Sequence, residues 1–495
     1  MSKAEFGISA FAAYVPPYRV DLREWCEWTG NSWDKTRAVI GESFRVPGVE
    51  EDVYTMAANA VLALIERNDV DPTKIGYLAL GTESSVDNAT GAVIVRGLVD
   101  RALAAKGKPR IARDCEVPEF KQACLAGVYG IKGAIRYLSH DGYDRQAIVV
   151  AADIAEYERG SSGEPTQGAG AVAMLLERDP KIVALDLRNA GSASTFRGLD
   201  FRKPFQRYAG QTTSVSGRLS DFPVFNGKFS TACYVDETLS AIDQLLAKRG
   251  GAHGRYFREL EAVFMHRPYH KMPVTAWALG YLFALGADGA LGAEELNGYC
   301  LASGIEPAQL AAEMAAVSTR AFEPDFEGTV AEPYPLTAGL MKAFRESPTY
   351  KLVVDDKMRL GSKAMMAMGN LYSAALPGWL AAGLEEAATA GRDLAGCEIL
   401  LIGYGSGDAS EAIPARIVPG WQAAASRIHL AGALDGTVAL NAEQYAALHE
   451  GRPAPGIAPA CRGIRIDRIG ERRSGALQDF GVAYYSLPLG LPPTG

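Results

Sequence analysis

Short strand-like runs recur along this chain, and each breaks off abruptly into a polar turn. They are IGYLALGTES (75–84), AIVVAADIA (147–155), GAGAVAMLLE (168–177), LEAVFMH (260–266) and EILLIGYGSG (398–407), with ARIV (415–418) as a shorter one. Near-continuous apolar runs of this length read as strands buried on both faces. Helical patterns lie between them. EDVYTMAANAVLALIER (51–67) has apolar residues at the helical period behind an acidic start. A Gly-rich helix candidate follows through residue 104, and LAGVYGIKG (125–133) is an apolar helix with glycines every three residues. Strand–helix alternation of this kind implies an α/β fold. The second half echoes the order of the first without repeating its residues, a sign of two related halves. Residues 283–350 read as an added helical region rich in Ala and Glu, closed by FEPDFEGTVAEPYP.

The turns carry the chemistry. Glu83 follows the first run, Cys124 stands in FKQACLAG (120–127), His266 ends LEAVFMH, and Ser406 lies in GYGSG. Residues gathered from the ends of several strands are how α/β proteins assemble sites. A thiol, a carboxylic acid and an imidazole then supply nucleophile, base and acid. Cys124 at the start of a buried helix faces unsatisfied N–H groups and the positive end of the helix dipole, which predicts a thiol more acidic than usual. The competing reading is a buried structural cysteine. Other readings fit less well. His266 and His270 have i, i+4 spacing suited to zinc on a helix, but Pro268 lies between them, and no metal site is expected. GYGSG resembles a dinucleotide loop, yet DASEAIPARIV leads toward a strand rather than a helix. It also lacks the first glycine of a hydrolase nucleophile elbow, where Tyr404 stands.

Composition narrows the setting. Net charge is −8 over 495 residues, which argues against a nucleic-acid surface. Seven scattered cysteines without CxxC spacing argue against disulfides and for a reducing, cytoplasmic compartment. No signal peptide is read at the N-terminus. The uncharged stretch 364–384 contains Asn370, Ser373, Pro377 and three glycines, so it reads as buried core rather than a membrane span.

Taken in order, GTES with Glu83, KQAC with Cys124, DIAEYERGSSGEPTQGAGAVAMLL, HRPYHKM, GNLYS and YGSG resemble the 3-hydroxy-3-methylglutaryl-CoA synthases, thiolase-fold condensing enzymes. The likeness spans roughly residues 7 to 420. It implies a layered αβαβα fold of two halves. Residues 1–180 would carry Glu83 and Cys124, and 181–495 would carry His266, Asn370 and Ser406 with the helical insertion. It also implies roles. Cys124 would accept the acetyl group of acetyl-CoA, and Glu83 would take a proton from the acetyl methyl. His266 would position acetoacetyl-CoA and help protonate the new alkoxide. Backbone N–H groups at Cys124 and Ser406 would hold the oxyanion, with Asn370 as a further polar contact. Ser162, Thr166, Ser230 and Lys271 fall where the family contacts CoA and acyl groups, and Asp200 matches an acid that influences the acetyl step. No cofactor beyond the CoA thioesters is implied, and a homodimer is. Leu125 stands where relatives usually have an aromatic residue, Thr275 where many have a second lysine, and RYAGQTTSVSGRL (207–219) looks extended. These departures leave open another 3-oxoacyl thioester, or one borne on an acyl carrier protein, as acceptor. A non-catalytic partner subunit is disfavoured by the intact trio. A chain-cleaving thiolase is disfavoured because Cys461 in PACRG lacks glycine-rich surroundings.

Overall fold

The computed structural model describes residues 4–85, 90–200, 222–223, 226–316, 332–461 and 463–487. The stretch 207–219 and most of 322–335 lie outside the described residues. Ten strands form one sheet: β1 (Phe6–Tyr14), β2 (Ile75–Gly81), β3 (Glu119–Phe120), β4 (Gln146–Ala155), β5 (Gly168–Arg178), β6 (Val183–Leu185), β7 (Gly191–Ser194), β8 (Ala262–Met265), β9 (Glu398–Gly405) and β10 (Ala409–Ile417). Their order is β8-β9-β10-β6-β1-β5-β4-β2-β3, with β7 paired to β10. The predicted runs are all strands. The last begins at Ala409 rather than near 415, because the chain turns within three residues after Gly405 and pairs back on β9.

The echo between halves is present in the pairing. In the first, β2 lies parallel to β4, β4 antiparallel to β5, and β5 antiparallel to β1. In the second, β8 lies parallel to β9, β9 antiparallel to β10, and β10 antiparallel to β6. The short strand β6 also pairs with β1 and joins the two groups.

The helices that position the site are α1 (Val53–Arg67), α2 (Gly91–Ala105), α3 (Ala126–Leu138), α4 (Lys228–Arg249), α5 (Lys271–Ala287), α6 (Ala290–Ser303), α7 (Pro307–Ala316) and α8 (Ala375–Thr389). β4 shows why its sequence is apolar throughout. Ile148 and Val150 join one core with α1 and α2, while Val149 and Ala151 face the opposite core with α3. Helices α3 and α8 lie between the two strand groups. A Cβ at Gly130 of α3 would touch Val149 of β4, whereas one at Gly403 of β9 would lie 2.5 Å from Leu125 beside α3. On α8, Gly378 faces Val172 of β5 and Gly383 faces Phe264 of β8. Helix α4 covers the outer side of the second group, against β7 and β10. The result is five layers, αβαβα, a thiolase-type fold.

Helix α1 starts at Val53, not Glu51. Asp52 caps it, accepting from Thr55 N–H at 2.7 Å, and Thr55 Oγ1 accepts the Asp52 N–H in return. The acidic residues therefore precede the first turn, where a carboxylate satisfies an orphan N–H. The helical region expected over 283–350 is helical where described, and it begins with α5 at Lys271. It has its own aromatic core, in which Phe344 stacks on Tyr281 at 5.4 Å and meets Tyr299 and Tyr350. The stretch 364–384 is buried and broken between Ser362–Met365, Tyr372–Ala374 and α8. No helix among the described residues is long and apolar enough to cross a membrane.

Candidate active site

Cys124 sits one turn ahead of α3, after a backbone that reverses sharply. Ala123 has φ +46°, left-handed for a residue with a side chain, a conformation that costs roughly 1–3 kcal/mol and clusters at functional sites. The turn is closed by Leu125 N–H donating to Gln122 C=O and Ala126 N–H to Ala123 C=O. The helix can start this close to β2 because a side chain at Gly81 would fall 2.6 Å from Gly127 N, and one at Gly127 2.8 Å from Ser373 C=O.

The thiol donates to Glu83 Oε2 at 3.0 Å. Thiol and carboxylate, 41 residues apart in sequence, are thus in direct contact. The predicted acidity of Cys124 is corrected. Burial and the Glu83 charge push the thiol well above its usual range. The side chain is 7% exposed, and nearby first-turn N–H groups are already spent closing the turn. Desolvation and an adjacent carboxylate outweigh the helix end. In the resting protein the sulfur is a protonated thiol with its proton acceptor in place.

Glu83 is held by Asp153, a wholly buried carboxylate near the end of β4. Asp153 Oδ1 accepts from Glu83 N–H and Ser84 N–H, both at 2.8 Å, and from the hydroxyls of Thr82 and Ser84. Its Oδ2 accepts from Ser373 N–H at 2.9 Å and from the Ser373 hydroxyl. One side chain thereby fixes both the base loop and the segment of Asn370. The sequence signal was there, since a charge inside AIVVAADIA has no place in an apolar strand unless it is fully bonded.

His266 follows β8 and extends its pairing, donating its backbone N–H to Ile402 C=O at 2.7 Å. Its C=O accepts from the Tyr234 hydroxyl, also at 2.7 Å. The ring is 2% exposed, Nδ1 has no hydrogen-bond partner among the described residues, and burial lowers the pKa to about 3. The imidazole is therefore neutral at ordinary pH. Cys124, His266, Asn370, Ser230 and Ser406 line one small cavity of about 30 Å³, completed by Tyr157, Tyr234, Tyr372 and Tyr404. That is room for on the order of two water molecules. Asn370 Oδ1 accepts from Tyr372 N–H at 2.9 Å, and Tyr372, like Ala123, is left-handed at φ +46°. Tyr157, Tyr234 and Tyr372 were not singled out from sequence, and Tyr404 only as a departure from a hydrolase elbow, because single aromatic residues near strand ends are ordinary core.

Asp200 stands behind the cavity, beside Ser230 and accepting from the Tyr404 hydroxyl at 2.8 Å. The same hydroxyl lies 2.8 Å from Asp408. Asp408, Arg197 and Cys233 at this position were not foreseen. The ligand-type atoms of Asp200, Cys233 and Asp408 lie within 4.8 Å of one another, in reach of the Arg197 guanidinium.

A second, open cleft of about 920 Å³ runs between the starts of α4 and α5. Ser162 and Thr166 line it, as does Thr275, while Lys35, Lys228 and Arg345 put three exposed cations on its walls. Thr231 and Tyr269, whose hydroxyls are 3.3 Å apart, also line it. Thr231 directly follows Ser230 of the small cavity. Lys271 stands at the start of α5 near Arg345 and Asp355, not among the residues lining the cleft, and burial lowers its pKa.

The profile described as hydroxymethylglutaryl-coenzyme A synthase N terminal matches residues 2–181. A hydroxymethylglutaryl-CoA synthase of Haloferax volcanii is 28% identical over 411 residues, covering 82% of this chain and 81% of its own. One of Enterococcus faecalis is 32% identical over 267 residues, 54% of this chain and 62% of its own. The solved structure of MvaS in complex with 3-hydroxy-3-methylglutaryl coenzyme A superposes with TM-score 0.74 at 25% identity, covering 98% of this chain and 99% of that one. The chain is thus similar to hydroxymethylglutaryl-CoA synthases, by the profile over its first 181 residues and by these relatives over most of its length.

Two of the departures seen in the sequence have definite places in this fold. Leu125 is fully buried against β9, where Gly403 and Gly405 leave space for it. It shapes the bed of the nucleophile's helix rather than the cavity wall. Thr275 lies on the open cleft, where charge comes instead from Lys35, Lys228 and Arg345. The synthase from the curacin pathway, solved with an acetyl donor carrier protein, shares the fold at 20% identity and TM-score 0.66.

Proposed function

We propose that the protein condenses acetyl-CoA with acetoacetyl-CoA and water to give 3-hydroxy-3-methylglutaryl-CoA and free CoA, through an acetyl thioester on Cys124. The observation that carries this reading is the 3.0 Å contact between the Cys124 thiol and the Glu83 carboxylate, with Cys124 on the wall of a small cavity that His266 and Asn370 share. Glu83 takes the thiol proton as sulfur attacks the acetyl carbonyl, and returns it to the departing CoA thiolate. It then takes a proton from the acetyl methyl, and the carbon so formed attacks the acceptor ketone. A thioester acidifies those protons only moderately, so a fixed, desolvated base is needed. The neutral His266 ring acts as a hydrogen-bond donor to the ketone oxygen, and the proton held by Glu83 goes to the alkoxide. Water releases the product from sulfur. The tally balances with no cofactor.

In the same reading, N–H groups at Cys124 and Ser406 hold the oxyanion, Asn370 and Ser230 contact the acyl groups, and Asp200 tunes the acetyl step from behind. Ser162 and Thr166 flank the pantetheine arm in the open cleft, whose cations, with Lys271 behind them, suit the phosphates of CoA. Residues 1–180 and 181–495 act as two thiolase-type halves of a cytoplasmic homodimer. The test is mass spectrometry of the reaction products, with tryptic mapping of acetyl label. An acetyl group on Cys124 and the six-carbon product are expected. Normal folding without label overturns the reading, and label without product from acetoacetyl-CoA moves the acceptor to another 3-oxoacyl thioester or a carrier-bound one.

A further inference from the structure

Behind the small cavity lies a buried polar network that the condensation chemistry does not itself require. Arg197 donates to Asp408 and Glu237, each at 2.9 Å, and to Asp236. All four side chains are at most 6% exposed. Tyr334 donates to the far oxygen of Asp236. Asp408 is anchored at its backbone as well, donating its N–H to Thr195 C=O at 2.7 Å, while Arg197 N–H donates to Gly407 C=O. Three carboxyl groups thus surround one guanidinium, and Asp200 joins the network through the Tyr404 hydroxyl.

Tyr404 decides how the charge is arranged. Its hydroxyl lies 2.8 Å from both Asp200 Oδ2 and Asp408 Oδ1. One hydroxyl proton serves only one of them, so two ionised carboxylates here would be held at close range with a single donor between them. Like-charged buried carboxyls relieve this by retaining a proton. Arg197 pairs with Asp408, leaving Asp200 as the better seat for it. Burial, followed by the neighbouring Asp408, raises the Asp200 pKa to about 8. The other titratable groups facing the pair are Cys233 of α4, kept a thiol by burial, and Tyr404 itself, held protonated. The negative charge of Asp200 is also felt at Cys124.

We propose that Asp408, clamped by Arg197, is a positioning residue that makes Asp200 share one proton, so that the pair behind the cavity carries one negative charge instead of two. The proposal rests on acetyl transfer to Cys124 as the chemistry of the site. A second charge would oppose the thiolate and the oxyanion that form there.

The test is the pH dependence of Cys124 acetylation by acetyl-CoA in the wild type and in Asp408→Asn, with folding checked by circular dichroism. The wild-type rate is expected to fall above about pH 8, where the pair gains its second charge. Asp408→Asn, which can never carry more than one charge, should lack that fall. Superimposable profiles overturn the proposal. Infrared titration of the carboxylic-acid carbonyl band gives a readout independent of acetylation, so failure of the acetyl reading and failure of this one are distinguishable. Glu51, buried with a pKa raised to about 7, adds a signal of its own and is removed by working in Glu51→Gln. A band lost near pH 8 supports the shared proton, also if Asp408→Asn does not fold, and its absence refutes it.

Discussion

Replacing Glu83 by glutamine should make Cys124 a more reactive thiol while abolishing condensation. The carboxylate is 3.0 Å from Sγ, and its charge is the largest contributor after burial to the raised thiol pKa. Two unit charges about 4 Å apart interact by about 4 kcal/mol at an effective dielectric near 20, a typical value for such sites. The sign follows directly. Glu83 opposes the thiolate, so its removal lowers the pH at which the thiolate forms, and the burial contribution remains. The assay is alkylation of Cys124 by iodoacetamide, followed by intact mass across pH. In Glu83→Gln the midpoint of the rate profile should lie clearly lower than in the wild type. Product formation should fall by at least about a thousandfold, the combined loss of a positioned base in two steps. A profile that stays put or moves to higher pH would show that Glu83 does not control the charge on sulfur, and the assigned roles would fail together.

Asp153→Asn should weaken both fold and site. An amide offers one acceptor oxygen, so one set of donors at Asp153 loses its partner, and a buried orphaned N–H costs about 1–3 kcal/mol; chemical denaturation and acetylation rate should both drop. Gly403→Ala places a methyl 2.5 Å from Leu125 Cδ1, and overpacking of this kind costs about 1–3 kcal/mol in thermal unfolding, recovered in part by Leu125→Ala. Lys228→Ala combined with Arg345→Ala should raise KM for CoA substrates by roughly tenfold, about 1.4 kcal/mol, with kcat little changed and the effect shrinking as salt is added.

Much of this site was legible because its parts are discontinuities. A glutamate closing IGYLALG, a cysteine opening a Gly-spaced helix and a histidine ending an apolar strand each interrupt a pattern, and the structure brings Cys124 and Glu83 into contact and seats His266 on the same cavity. The layered α/β architecture was legible for a similar reason, since both faces of β4 are apolar. The acidity of Cys124 was misjudged because a helix end is a local feature, whereas burial and the proximity of Glu83 arise only on folding. The pair Asp200 and Asp408 was half visible. Asp408 follows GYGSG as an ordinary turn residue, and nothing in its neighbours announces Arg197, which arrives from 211 positions away. Lys271 illustrates the converse, a residue at the expected position whose side chain sits beside the cleft rather than on it.

The bonds that Asp153 makes to Ser84 on one side and Ser373 on the other tie together stretches of chain almost three hundred residues apart. Neither lobe can therefore set the reacting distances alone, and pieces expressed separately should be inert until they recombine. The two oxygens of one carboxylate couple the loop of Glu83 to the segment of Ser373, so a change near either is felt at the other.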